Sequence, residues 1–292
     1  MPELPEVEHV VRALRRVIVG RTIVASEVRL AKLVAPLSVA AFNRRIKRAT
    51  LTGVSRRGKF ILIELDRKAD TSRRSAGIRP AKRAQRSILA VHLRMTGKFV
   101  LLNPDDPLPK HGHAIFYLDK DQRLVFRDQR QFAVMKLIDS ADLSQTKGIS
   151  ELAPEPFGEE FTVEYLRSLL KRSQRSLKTL LLDQTKVLGL GNIYAAEALF
   201  RARINPFKPA AELSARRVPA LYEAIREVLQ FAVDHIRGSI SLEEGFSYGA
   251  AFENFWQVYE REGEPCVRCG TKIRRATHGG RSTYWCPKCQ RR

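Results

Sequence analysis

Apolar residues recur at helical spacing near the start of the chain. Val7, Val10, Val11, Leu14, Val17 and Ile18 line one face of residues 5–19, and Gly20 offers a stop. The pattern then changes to short β-type runs over residues 22–30, 60–65, 88–93, 99–102, 114–118, 124–126 and 132–138. A helical stretch, Val39–Ile46, interrupts them. Short strands separated by turn residues predict a sandwich or barrel, with the N-terminal helix against it. Beyond residue 150 the period returns to 3.6, over Val163–Lys171 and over residues 177–182, 193–201 and 215–236. Residues 151–158, with two prolines, read as a linker. The chain is therefore expected to be α+β, with a β-sandwich region over 1–150, a helical region over 151–254 and a small C-terminal module over 255–292. Residues 66–87 hold eight Lys/Arg, two acids and few large apolar groups. Such composition reads as a solvated loop, or alternatively as an extra arm for a polyanion.

Composition narrows the class of function. The 292 residues are 44% hydrophobic and 28% charged, a globular balance with enough chain to bury a core. No apolar run approaches the roughly 18 residues a membrane span needs. Glu3, Glu6 and Glu8 occupy the place of a signal peptide's basic region, and no apolar segment of that kind follows. Four cysteines are too few for a disulfide scaffold. The net charge of +21 changes the picture most, because such a surplus attracts polyanions. Nucleic acid is the commonest such partner, although an anionic membrane surface or a ribosome also fits.

All four cysteines fall in one pattern, Cys266-x2-Cys269-x16-Cys286-x2-Cys289. Two CxxC turns on a β-hairpin close a tetrahedron around one Zn²⁺. Gly270 and Pro287 suit the turns. A closed four-thiolate site is structural, so the metal would hold a hairpin whose Lys272, Arg274, Arg275, His278 and Arg281 face phosphate. The other end of the chain begins Met1-Pro2-Glu3-Leu4-Pro5-Glu6. Removal of Met1 would expose the secondary amine of Pro2, a nucleophile able to form a Schiff base with an aldehyde carbon. Taken alone, Pro2 could equally start a helix, with Glu3 and Glu6 complementing its dipole.

Read together, these segments resemble the bacterial formamidopyrimidine-DNA glycosylases over nearly the whole chain. The resemblance rests on Pro2-Glu3-Leu4-Pro5-Glu6, Arg57-Gly58-Lys59, His92-Leu93-Arg94-Met95-Thr96-Gly97 and His111-Gly112-His113. It continues in Gly189-Leu190-Gly191-Asn192-Ile193-Tyr194 with Glu197, and in the cysteine ribbon with Gly280-Arg281-Ser282-Thr283. It implies a helix–two-turn–helix region between the sandwich and the zinc ribbon. It also implies base-excision repair of oxidised purines in damaged double-stranded DNA, by a cytoplasmic, nucleoid-associated monomer with no membrane contact. Activity would be bifunctional, a glycosylase and a β,δ-eliminating lyase.

The resemblance also implies roles. Pro2 would be the nucleophile, Glu3 the general acid/base and Lys59 a proton-transfer group that otherwise reads as a solvated lysine. Arg281 would grip phosphate beside the abasic site and serve the second elimination. His92, His111, Lys178 and Asn192 match DNA-contacting positions. The glycine turn before Asn192, opening a helix, reads physically as a phosphate cradle of backbone N–H groups, or as a simple capped turn. Met95, Arg130 and Phe132 match the residues that fill the space left by an extruded base, with Arg130 pairing to the orphaned cytosine. Without the resemblance, Met95 and Phe132 read as core. The family's Asp-Pro-Arg-Arg-Phe-Gly turn stands here as Asp128-Gln129-Arg130-Gln131-Phe132-Ala133, which puts the turn's rigidity in question. The segment 238–253, where the family covers the flipped base, is also unusual. Two readings compete: the related endonuclease VIII group, which Leu4 and the Met95/Arg130/Phe132 set oppose, and a non-catalytic DNA-binding module, which Pro2-Glu3 and Lys59 oppose.

Overall fold

The computed structural model describes residues 1–67, 85–235 and 256–291. Residues 68–84 of the basic stretch 66–87 and the whole segment 238–253 lie outside the described residues. The chain divides into two compact units. One holds Met1–Pro2 and Val7–Ser150; the other holds Glu3–Glu6 with the described residues of 151–235 and 256–291.

In the first unit, helix α1 (Leu4–Ile18) buries Val7, Val10, Val11, Leu14 and Ile18, the stripe its period predicts. Two antiparallel four-stranded sheets follow. One has β1 (Ile23–Val28), β6 (Gly112–Leu118), β7 (Arg123–Asp128) and β5 (Gly97–Leu102) in that spatial order. The other orders β2 (Thr50–Arg57), β3 (Phe60–Arg67), β4 (Gln85–His92) and β8 (Val134–Asp139). Helix α2 (Val39–Ile46) starts at Ser38, whose hydroxyl accepts from Ala41 N.

Two sequence expectations need correction here. Strand β2 was not anticipated. A register shift between Leu51 and Gly53 puts the buried Leu51 and Val54 three residues apart, which destroys the period-two signal. The run expected to begin at Phe132 enters its strand only at Val134, because Ala133 N donates to the Asp128 carboxylate at 2.8 Å.

In the second unit, helices α3 (Val163–Lys171), α4 (Leu177–Leu181), α5 (Asn192–Arg201) and α6 (Val218–His235) precede a hairpin of β9 (Arg274–His278) and β10 (Arg281–Trp285). Thr162 and Ser176 cap α3 and α4 with their hydroxyls. The expected helix from 215 to 236 opens as a separate 3-10 turn, Ala215–Arg217, before α6. Ala196 and Phe200 of α5 share a core with Val258, Ile273, Cys266 and Cys286, so the ribbon is built onto the helices. No helix among the described residues is long and apolar enough to cross a membrane.

Candidate DNA-processing site and zinc ribbon

Glu3 organises the second unit. Its buried carboxylate accepts Gly191 N at 2.5 Å, Ile193 N at 2.9 Å and Tyr194 N at 3.3 Å. These are donors that open α5, where the helix dipole favours a negative charge. Two glycines make the approach possible. Gly191 would drive a Cβ into the Glu3 carboxyl carbon. Gly189, at φ +88, would place one 2.5 Å from Leu4 Cδ1, and its own carbonyl accepts Leu4 N at 3.1 Å. The expectation that these backbone N–H groups cradle phosphate is therefore corrected: the Glu3 carboxylate already occupies those of Gly191, Ile193 and Tyr194.

Glu6 closes a ring around the same residues. Its Oε2 accepts Glu3 N at 2.8 Å and its Oε1 accepts the Tyr194 hydroxyl at 2.7 Å. Tyr194 thus serves Glu3 through its backbone and Glu6 through its side chain. Burial, and then the neighbouring Glu3 charge, push the Glu6 carboxyl up to about 7. Sequence reasoning treated Glu6 only as a dipole partner. Its second partner lies 188 positions away, and no local pattern signals it.

Lys178 is buried, with its ammonium donating to Ser282 O at 2.6 Å and Thr283 Oγ1 at 2.7 Å. Burial and the Arg281 cation pull it down to about 8, while Glu3 opposes the shift. Asn192 Nδ2 also donates to Ser282 O, at 3.0 Å. Arg281 itself is exposed. Glu197, another buried carboxylate, accepts Gln257 N, Val258 N and Tyr259 N and so anchors the segment entering the ribbon. Desolvation raises its pKa against those three bonds.

The four cysteines converge as their spacing predicts. Their sulfurs all lie within 4.8 Å of one another, with Cys266–Cys289 at 3.9 Å and Cys269–Cys286 at 3.5 Å. A tetrahedron with Zn–S near 2.3 Å requires S···S of about 3.8 Å, so the donor set fits one Zn²⁺. Four thiolates would fill every position of the tetrahedron and leave none open for chemistry, so the site is structural. It locks Cys266 and Cys286 into the core shared with α5.

The first unit carries the other candidates. Pro2 is buried. Lys59, in the turn from β2 to β3, is 4% exposed, which excludes a solvated surface lysine. His92 ends β4, its ring edge-on to Phe60 and its Nδ1 accepting Arg94 N at 3.0 Å. Burial, Arg94 and Lys59 push it down to about 3, so it is neutral and a donor only through Nε2.

Met95, Arg130 and Phe132 come together at the surface. Met95 is 42% and Phe132 54% exposed, so neither is core. Arg130 lies 5.1 Å from the Phe132 ring centre and donates to Met95 Sδ at 2.7 Å. Asp128 and Thr96, present in the quoted motifs but given no role there, tie these stretches together. Thr96 Oγ1 donates to Asp128 Oδ1 and accepts Arg130 N at 3.0 Å. His111, at φ +65, gives its carbonyl to Asp128 N at 3.0 Å, and the His113 ring contacts Asp128 O at 3.0 Å.

Comparison with known proteins agrees with this geometry. Residues 1–135 match the formamidopyrimidine-DNA glycosylase N-terminal domain, 152–244 its H2TH domain, and 263–292 the zinc finger found in FPG and IleRS. The formamidopyrimidine-DNA glycosylase of Pelotomaculum thermopropionicum is 43% identical over 293 residues, covering 100% of this chain and 99% of the relative. That of Carboxydothermus hydrogenoformans is 39% identical, with 100% of both covered. The crystal structure of Lactococcus lactis Fpg with DNA containing an abasic site has a TM-score of 0.85 at 34% identity, covering 99% of this chain and 100% of that one. The same Lactococcus lactis protein with Fapy-dG DNA also superimposes at 0.85 and 34% identity, with the same coverage. The family's domains match along most of the chain and its members are 39–43% identical over their full length, and the chain belongs to the formamidopyrimidine-DNA glycosylase family.

Proposed function

We propose that this chain excises oxidised purines, 8-oxoguanine and formamidopyrimidines, from duplex DNA, then cuts the strand by β,δ-elimination. Its place is base-excision repair, as a monomer in the cytoplasm at the nucleoid. The observation that carries the reading is Glu3: a buried carboxylate, fixed by three N–H groups, directly after the residue that would bear the free amine. The Lactococcus lactis complexes with abasic-site and Fapy-dG DNA support the substrate class, as does the +21 charge.

Chemistry follows from the residues. With Met1 removed, the Pro2 nitrogen lone pair attacks C1′, and the glycosidic electron pair leaves with the base, which takes up a proton. The proton that the Pro2 nitrogen sheds passes to the Glu3 carboxylate, which delivers it to O4′ as the C1′–O4′ bond opens and leaves an iminium at C1′. The iminium withdraws electrons. Loss of a C2′ proton expels the 3′ phosphate, and loss of the C4′ proton expels the 5′ phosphate. Water then hydrolyses the imine and frees Pro2. Lys59 assists proton transfer and Arg281 holds phosphate during the second elimination. His92, His111 and Asn192 belong to the DNA-facing machinery, and the buried Lys178 lies behind it. Met95, Arg130 and Phe132 fill the vacated stack, offsetting the few kcal/mol that extrusion of a base costs.

Borohydride reduction on an 8-oxoguanine·cytosine duplex tests this. It should trap a covalent protein–DNA adduct. Glu3→Gln should bind the duplex yet lose excision by about 10²–10⁴-fold. Absence of an adduct with the wild-type chain, or near-normal turnover by Glu3→Gln, would overturn the reading.

A further inference from the structure

Arg281 stands directly after the tip of the zinc hairpin. The tip is a two-residue turn, Gly279–Gly280, at φ +57 and +72, a geometry suited to the twist of paired strands. Helix α4 grips this tip at three points. The Ser176 hydroxyl meets His278 Nε2 at 2.6 Å. A Cβ at Gly279 would lie 3.1 Å from Thr179 Cγ2, so the turn rests against the helix. Between them the Lys178 ammonium takes Ser282 O and Thr283 Oγ1.

We propose that Lys178 is a positioning residue that aims Arg281, rather than a group that itself holds DNA. The proposal rests on the reading of Arg281 as a phosphate grip. Lys178 is 1% exposed and Thr283 is 0% exposed, so the pair forms an internal fastening. A lysine whose task is to meet phosphate gains from exposure, as Arg281 has it. A buried lysine instead carries a desolvation cost that only fixed acceptors offset. Those acceptors belong to the two residues immediately following Arg281. Asn192 adds a second donor to the same Ser282 carbonyl. The peptide that fixes the direction of the Arg281 side chain is thus held from α4 and α5 together, and Ser282 Oγ is held within the hairpin by Arg275 Nε at 3.1 Å. Leu177, Leu180 and Leu181 already bury the apolar face of α4, so the helix does not need Lys178 for packing.

A double-mutant cycle decides between aiming and direct contact. Full-length protein carrying Lys178→Met, Arg281→Ala or both would be titrated with a duplex containing a tetrahydrofuran abasic analogue, at several salt concentrations. Zinc content would be measured alongside. Arg281→Ala should weaken binding about tenfold, as loss of one charge-assisted contact does, and reduce the salt slope by about one. Lys178→Met should approach the same loss with one zinc retained, and should cost less than about twofold further in the Arg281→Ala background. Thr283→Val, nearly isosteric, should give a smaller loss that also vanishes in that background. It carries the cycle if Lys178→Met loses zinc. Losses that multiply, with the slope falling by about two in the double variant, would mean that Lys178 holds its own phosphate and would overturn the inference. Wild-type binding by both Lys178→Met and Thr283→Val would overturn it as well. An Arg281→Ala protein that binds as wild type would remove the phosphate-grip reading itself, and this inference with it.

Discussion

Glu6→Gln is the substitution for which the structure gives a magnitude as well as a direction. The Glu6 carboxyl is 5% exposed and accepts two hydrogen bonds, from Glu3 N and from the Tyr194 hydroxyl. Burial and the Glu3 charge raise it from 4.5 to about 7. Between those values the folded protein binds more protons than the unfolded chain, so stability falls as pH rises through the window. The cost of ionised Glu6 is absent well below 4.5 and complete above about 7, where it amounts to roughly 3 kcal/mol at 1.36 kcal/mol per unit. Gln removes the charge and keeps the shape. Its carbonyl can accept Glu3 N–H and its amide can donate to the Tyr194 oxygen, so no cavity forms. Urea unfolding of both proteins at a series of pH values isolates Glu6 and its coupling to Glu3, because the titrations that do not couple to Glu6 appear in both. The stability of Glu6→Gln relative to wild type should climb by about 2 kcal/mol between about pH 5.5 and pH 8. A pH-independent difference would show that Glu6 is not the titrating group, and one that climbs in the acid direction would show that its ionised form is the favoured one.

Two further outcomes follow from the ribbon and the exposed triad. Cys286→Ser should lose zinc and DNA affinity while the first unit stays folded, because the sulfur sits in the core shared with α5 and the hairpin is too small to order without metal; zinc analysis and circular dichroism check this, and full incision activity in the variant would contradict it. Arg130→Ala should weaken excision from 8-oxoguanine·cytosine and narrow the preference for cytosine over adenine opposite the lesion, by about 1–3 kcal/mol at most; equal losses on both duplexes would mark Arg130 as a phosphate contact.

Much of the molecule was legible along the chain, and the reasons differ by element. Helices α2 and α3 carry their own start signals in Ser38 and Thr162, so local sequence sufficed. The four cysteines needed only their spacing. Strand β2 was hidden by its bulge, because the apolar alternation that identifies a strand is what a bulge interrupts. The glycine turn before α5 was recognised but misread. A free helix N-terminus and one already occupied look alike until the partner is known, and Glu3 lies 188 positions from Gly191. Lys178 posed the same problem, since its acceptors arrive from a hairpin 104 positions later. Residue type reported the chemistry in both cases, and only the fold reported which way it pointed.

The triad turn shows how a departure from the family's sequence is absorbed. Proline at position 129 and glycine at position 133 would stiffen and free the backbone respectively, and neither is present. Gln131 nevertheless adopts φ +57, at a cost of roughly 1–2 kcal/mol for a residue with a Cβ. Asp128, which the family pattern shares, holds the turn. It is 2% exposed and accepts from Thr96 Oγ1 and Ala133 N, closing the turn from both ends. Thr96 in turn accepts Arg130 N, so one hydroxyl joins the stretch that carries Met95 to the stretch that carries Arg130 and Phe132. Rigidity that a ring would have built into one residue is here distributed over a buried network of side chains. Such a network holds both arms in register, which a proline acting on its own loop alone would not do. The exposed apolar groups can then stay outside the core without collapsing onto it, which the proposed insertion into a duplex would require.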